Sequence, residues 1–261
     1  MPGSDIDLLI DAADAAGKIA LRVPGPRAKS WEKADGTGLV TESDLAVNER
    51  LAEILRPARP GYGWLSEESD DDADRLSRGK VFIVDPIDGT RSFAEGSSTW
   101  AHALAVAEDG IVTSAVIYLP KLGKLYSAVA GKGAFLNGEP IAPSTRPGLE
   151  NADILAARPA LDAHHWRDGA APKFHRVYRP SLAYRMAMVA QGRFDGMITL
   201  RPSWEWDVAA GDLILREAGA RVTDRAGLTL KFNNAHPMVN GILAGGAAVH
   251  GQLAAAVSIP S

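Results

Sequence analysis

Asp85-Pro86-Ile87-Asp88-Gly89-Thr90 is the densest group of reactive residue types in the chain. It follows the apolar run Val81-Phe82-Ile83-Val84, so a strand delivers two aspartates, three residues apart, onto a loop. Hard cations such as Mg²⁺ take oxygen ligands, commonly carboxylates together with substrate phosphate oxygens. Strand ends opening into loops are where such sites gather. Pro86 stiffens the turn. Gly89 lets a phosphate approach the backbone, where the Gly89 and Thr90 amides can donate to it. Asp-Pro and Asp-Gly are also ordinary turn formers, but a surface turn does not account for the whole string.

Three further acidic groups accompany it. Thr41-Glu42-Ser43-Asp44 opens a helix, Leu65-Ser66-Glu67-Glu68 follows a strand, and Trp204-Glu205-Trp206-Asp207-Val208-Ala209-Ala210-Gly211 opens a late helix. Singly, Asp44 and Asp207 fit helix caps or first-turn acids. Glu67 and Glu68 fit the same solvated stretch as Asp70, Asp71, Asp72 and Asp74. The D-x-x-D spacing, with Pro86 inside it, counts against the aspartate nucleophile of haloacid-dehalogenase-type phosphatases, which lies in a D-x-D pattern.

Taken together, the order V-T-x-x-D, S-E-E, D-P-I-D-G-T, W-D-x-A-A-G resembles the inositol monophosphatase superfamily over nearly the whole chain. The resemblance implies a mixed α+β fold layered α/β/α/β/α, with the site between two subdomains. It implies two or three Mg²⁺ ions. Glu67, Asp85 and the Ile87 carbonyl would hold the first; Asp85, Asp88 and Asp207 would hold the second; a weaker third would lie near Glu67. Asp44, Thr90 and Glu67 form the implied catalytic set, with Thr90, oriented by Asp44, deprotonating the attacking water. Inhibition by Li⁺ is implied as well. The physics agrees with this layout: a buried carboxylate cluster repels itself unless cations occupy it, and two cations neutralise a phosphate dianion and orient its attacker.

The same resemblance narrows the substrate, a small phosphorylated metabolite. Leu65-Ser66-Glu67-Glu68 and Ser181-Leu182-Ala183 look like the bacterial 3'(2'),5'-bisphosphate nucleotidases, as does Lys33-Ala34-Asp35. Leu200 stands where inositol monophosphatases carry an acid, and Pro180 where they carry glycine, which removes an amide donor. The expected reaction is therefore 3'-phosphoadenosine 5'-phosphate to AMP and phosphate. Inositol, histidinol and sugar phosphates are the alternatives within the superfamily, and a non-catalytic phospholigand-binding relative is the alternative outside enzymes. Expected substrate contacts are Asp88, Gly89, Thr90, Arg91, Ser181 and Glu205, with Arg91 a candidate for a second phosphate. Arg176 and Arg179 meet a phosphate or solvent. The six histidines are assigned to no metal, and Trp31, Trp64, Trp100, Trp204 and Trp206 are read as packing rather than stacking platforms.

The elements that must position these groups follow from periodicity. Ser4 to Val23 reads as an amphipathic helix capped by Ser4 and stopped at Pro24-Gly25-Pro26. A polar stretch to Asp35-Gly36 precedes a second helix, capped by Ser43 and closed by Pro57 and Pro60. Strands are expected at 62–65, 80–84, 101–107, 111–118 and 124–130, an antiparallel sheet with helices on it. Residues 143–147 are loop-like and place a boundary between a 1–145 subdomain bearing the metal loops and a 146–261 subdomain supplying Asp207 and substrate contacts. Beyond it, strands at 153–157, 194–200, 221–223 and 241–244 alternate with helices at 181–191 and 208–218, the latter stopped by Gly219, an α/β pattern.

Composition bounds the rest. The chain has 261 residues, 46% hydrophobic and 23% charged, with net charge −4, which suits an ordinary globular protein. No long basic run suggests a nucleic-acid partner. The absence of cysteine removes disulfides and thiolate chemistry. No segment reads as a leader or a membrane span, so a soluble, cytoplasmic location is expected. The superfamily contains monomers, dimers and tetramers, and a homodimer is among the assemblies it allows.

Overall fold

The computed structural model describes residues 3–23, 25–33, 36 and 38–259. Pro24, Ala34 and Asp35, read above as a helix stop and part of a nucleotidase-like turn, lie outside the described residues. Helices α1 (Asp5–Ala20) and α2 (Glu42–Ala58) are separated by the short pair β1 (Ser30–Glu32) and β2 (Leu39–Thr41). The main sheet follows: β3 (Gly63–Ser66), β4 (Lys80–Asp88), β5 (Ala101–Glu108), β6 (Ile111–Leu119), β7 (Lys124–Val129), β8 (Ala134–Leu136) and β9 (Glu139–Pro140), with the one-turn helix α3 (Thr90–Ala94) after β4. Its strands lie in sequence order; β3 and β4 are parallel and the other neighbours antiparallel.

The second sheet comprises β10 (Asp153–Ala156), β11 (His175–Val177), β12 (Gly196–Thr199), β14 (Arg221–Thr223) and β16 (Ile242–Gly245), in the order β11-β10-β12-β16-β14. Helices α4 (Leu182–Ala190), α5 (Glu205–Glu217) and α6 (Ala247–Ala256) complete this half, and β13 (Ser203–Trp204) pairs with β15 (Met238–Val239) beside it.

Alternation within each strand sets the layers. Phe82 and Val84 of β4 face α1 and α2, joining Leu9, Val47 and Leu51. Val81 and Ile83 face the other way, with the small residues Ala101, Ala103 and Ala105 of β5, against α4 and α5. Leu155, Met197 and Ala244 of the second sheet close over those helices from the far side. The opposite face of that sheet, Ile154, Ile198 and Leu243, packs on Val249, Leu253 and Trp166. The result is α/β/α/β/α, as the fold class anticipated.

Local expectations differ in detail. Thr41, not Ser43, caps α2: its hydroxyl accepts from the Ser43 and Asp44 amides while Asp44 reaches back to the Thr41 amide, a reciprocal capping box. Pro57 lies inside the last turn, and the helix ends at Ala58. The helix bearing Asp207 begins at Glu205, earlier than its apolar stripe. The sequence does not signal helix α6 or strand β11; α6 has a glycine cap, an internal Gly251 and no clear apolar stripe. No helix among the described residues is long and apolar enough to cross a membrane.

The central α4–α5 contact is tight. A Cβ at Gly211 would stand 2.6 Å from the Met186 Cβ and Sδ. Gly211→Ala should lower the free energy of unfolding by about 1–3 kcal/mol through overpacking, read by urea titration. Pairing it with Met186→Ala should recover part of that loss; simple additivity of the two would show that the contact does not limit packing.

Candidate active site

β4 runs unbroken through the Asp85–Asp88 string, but its register against β5 shifts between Asp85 and Asp88. In a regular strand, residues three apart point to opposite faces. The bulge inserts one residue and turns Asp88 to the same side as Asp85, while Ile87 takes its place beside Phe82 and Val84 in the core under α1 and α2. Pro86 sits where a ladder amide is dispensable. Its carbonyl meets Nδ1 of the fully buried His102, so Nδ1 carries the proton and donates. Burial lowers the His102 pKa to about 4, which keeps the ring neutral. His102 thus acts as a support for the bulge, a role that its sequence neighbours do not signal.

Asp207, in the first turn of α5, completes the cluster. Ligand oxygens of Asp85, Asp88 and Asp207 lie within 4.8 Å of one another. Asp85 is 1% exposed, and neither of its oxygens has a hydrogen-bond partner among the described residues. Burial, then the charges of Glu67, Asp88 and Asp207, push its pKa well above the usual carboxylate range. Asp207 is raised by burial and by Asp88 in the same way. An orphaned buried carboxylate flanked by two more is the donor set of a hard divalent cation, and Mg²⁺ fits it.

Asp88 is better served. Its Oδ2 accepts from the Ser181 hydroxyl and the Ala183 amide, each at 2.6 Å, and its Oδ1 from the Leu182 amide at 3.2 Å. This carboxylate thereby ties the main sheet to the N-terminus of α4, where the helix dipole favours it. Ser181 supports the contact from a left-handed conformation, φ +63°, while also capping α4 through Tyr184. That is an uncommon geometry for a residue with a Cβ.

Glu67 leaves β3 one residue beyond the pair Ser66–Val84, abreast of Asp85, and its amide donates to the Val84 carbonyl at 3.2 Å. Its carboxylate stands outside the tight trio and is held by Lys33, whose ammonium lies 2.9 Å from Glu67 and 2.8 Å from Glu68. Burial alone would lower the Lys33 pKa; the two carboxylates outweigh it and hold the lysine charged. The Thr90 hydroxyl lies 3.0 Å from Asp44 Oδ1 and 3.1 Å from the Ile87 carbonyl. Asp44 Oδ2 accepts from the Thr41 amide and hydroxyl. Burial raises the Asp44 pKa to about 6, against the opposing effect of those hydrogen bonds.

Of the expected substrate contacts, Gly89 adopts φ +96° and caps α3, and Arg91 is exposed on that helix. Glu205 does not face the cleft. It is fully buried and accepts from the Asn233 and Asn234 amides and the Asn234 side chain, at 2.6–2.9 Å. Its charge is consumed in holding that loop, so the suggested substrate role is replaced by a structural one. Beside Glu67 and Asp207 opens a cleft of about 590 Å³. Lys33, Arg201, Trp204, Trp206 and His236 line it, a gathering that no local pattern in the sequence signals.

The sequence profile of the inositol monophosphatase family matches residues 4–259. An inositol-1-monophosphatase of Rhizobium meliloti (strain 1021) is 33% identical over 239 residues, covering 85% of this chain and 86% of that protein. A histidinol-phosphatase of Mycobacterium tuberculosis (strain ATCC 25618 / H37Rv) is 31% identical over 256 residues, covering 93% and 96%. Among solved structures, the extragenic suppressor protein suhB of Bartonella henselae superposes with a TM-score of 0.78 at 29% identity, covering 95% of this chain and 96% of that one.

The buried trio has a signature in stability. Because the Asp85 pKa is raised on folding, the metal-free native state binds a proton more tightly than the unfolded chain does. Stability therefore falls as pH rises above the ordinary carboxylate value of about 4, and the whole penalty persists above the folded pKa. In EDTA, the melting temperature should decline with pH across that window. MgCl₂ should restore it, most strongly at high pH. Asp85→Asn should raise the metal-free melting temperature at pH 8 by a few degrees, at about 2–4 °C per kcal/mol, and shrink the Mg²⁺ increment. A full Mg²⁺ increment in that variant would remove Asp85 from the metal site.

Proposed function

Since the chain belongs to the inositol monophosphatase family and is a phosphatase of that family, we propose that it hydrolyses a phosphate monoester of a small metabolite with Mg²⁺. The observation that carries this reading is the orphaned Asp85 carboxylate between Asp88 and Asp207. Asp85, Asp88, Asp207 and Glu67, with the Ile87 carbonyl, are the residues that would hold the ions. Bound there, Mg²⁺ supplies charge neutralisation of the phosphate and acidifies a water molecule.

The protein's own groups do the rest. The Thr90 hydroxyl donates to Asp44 Oδ1, which leaves the Thr90 oxygen free to accept a proton from the attacking water as its own proton passes to Asp44. Asp44 must be ionised to receive it, and burial places its pKa near the working range. The Thr41 amide and hydroxyl fix the Asp44 carboxylate in that orientation. Ser181 and the α4 amides orient the Asp88 carboxylate, and the Gly89 and Thr90 amides would donate to the phosphate.

For the substrate, Leu65-Ser66-Glu67-Glu68 and Ser181-Leu182 support 3'-phosphoadenosine 5'-phosphate. A second reading, histidinol phosphate, is supported by the relative named histidinol-phosphatase, whose match covers 93% of this chain.

Phosphate release with MgCl₂ across 3'-phosphoadenosine 5'-phosphate, histidinol phosphate, myo-inositol 1-phosphate and glycerol 2-phosphate tests the activity; no release from any of them refutes it. Asp44→Asn and Thr90→Val should each lower kcat on the order of 10²-fold, with Mg²⁺-dependent thermal stabilisation retained. Wild-type kcat should fall as pH drops through about 6, where Asp44 takes up a proton. A kcat flat from pH 5 to 8 would release Asp44 from the base role. LiCl should inhibit, and indifference to it would set the chain apart from lithium-sensitive members.

A further inference from the structure

We infer that the alcohol released by this site carries a flat nitrogen heterocycle, selected by an aromatic wall of Trp204, Trp206 and His236. The inference rests on the phosphatase reading of the carboxylate cluster and names its substrate class.

The wall lies beside the chemistry. Trp206 immediately precedes Asp207, and the cleft holding Glu67 and Asp207 is also lined by Trp204, Trp206, His236 and Met238. The two indoles stack with centroids 4.7 Å apart and planes 10° apart, and the His236 ring meets Trp204 edge-on at 5.7 Å. Trp100, by contrast, is 1% exposed and belongs to the core. Trp204 and Trp206 are only half-buried, and their remaining surface borders the cleft. Trp206 packs in part against the central core, and the aromatic surface that the two indoles leave in the cleft suits a stacking partner.

The wall is also preorganised. Glu205, between the two tryptophans, is fully buried, and its carboxylate clamps Asn233 and Asn234. Its amide donates to the Pro237 carbonyl at 2.9 Å, and Trp204 pairs in register with Met238 across β13–β15. The segment carrying His236 is thus tied to the segment carrying the indoles, and little ordering remains when a ring binds. A cleft of about 590 Å³ is ample for a purine or an imidazole with its side chain. Asp70 and Arg201 at its rim offer polar partners to ring nitrogens. Leu200, seven residues before Asp207, is buried in an apolar cluster and offers a polyol no acceptor.

The test has two independent arms on the full-length protein. In the first, kcat/KM is measured with MgCl₂ for 3'-phosphoadenosine 5'-phosphate and histidinol phosphate against myo-inositol 1-phosphate and glycerol 2-phosphate. An ester bearing a flat nitrogen heterocycle should lead both esters that lack one by about tenfold or more. That ratio should fall about tenfold in Trp204→Ala and stay near wild type in Trp204→Phe. A leading ester without a heterocycle, or a ratio unmoved in Trp204→Ala, overturns the inference. The second arm needs no turnover: adenosine or histidinol should quench indole fluorescence saturably, and myo-inositol should not. Quenching without hydrolysis of any ester would refute the phosphatase reading and uphold the wall. Hydrolysis with neither ring preference nor quenching would do the reverse.

Discussion

Three like charges confined within 4.8 Å of one another, one of them with no hydrogen-bond donor among the described residues, are the constraint around which the protein is arranged. Water is excluded from Asp85, so its charge cannot be screened, and the native fold must supply the energy to hold it there. That energy comes from two cores on opposite faces of the main sheet, one under α1 and α2 and one around α4 and α5. A metal site of this kind trades apo stability for affinity: the repulsion the fold tolerates is the attraction a divalent cation meets.

Three devices gather the carboxylates in one place. A β-bulge, supported by His102 on the Pro86 carbonyl, redirects Asp88. The N-terminus of α5 presents Asp207 from the other half of the chain. The N-terminus of α4, with the strained Ser181, receives the Asp88 carboxylate from above. Each device is rigid backbone rather than a mobile side chain, which is what a preorganised charge centre demands. Lys33, by contrast, approaches on a long flexible stem and neutralises Glu67 and Glu68 at the rim.

Glu205 shows how a residue's environment decides its work. It stands in the same short segment as Asp207, two residues away, and has the same acidic chemistry. Asp207 is turned to the cleft, whereas Glu205 is turned inward onto the Asn233 and Asn234 amides and spends its charge on architecture. By fixing that loop, it holds His236 beside Trp204 and Trp206 at the edge of the cleft that contains Asp207.

The sequence by itself determined much of the site. The apolar run into Asp85-Pro86-Ile87-Asp88-Gly89-Thr90, the strands of the main sheet and the helix following Asp44 are local patterns, legible because period and turn chemistry act over a few residues. It also indicated the layered fold, through motifs spread along the chain. Only the tertiary structure decided which way each side chain faces. Strand alternation would have sent Asp88 away from Asp85, and a register shift against β5 reversed it. The cap of α2 passed from Ser43 to Thr41 because the Asp44 carboxylate returns to the Thr41 backbone. Helix α6 leaves no mark in the sequence because burial against the second sheet, not an amphipathic stripe, holds it. The pairing of Trp204 and Trp206 with His236, some 30 residues on, is likewise set by β13–β15 contact. Periodicity carries no information about partners so far apart in the chain, since long-range pairing is fixed only when the whole core closes.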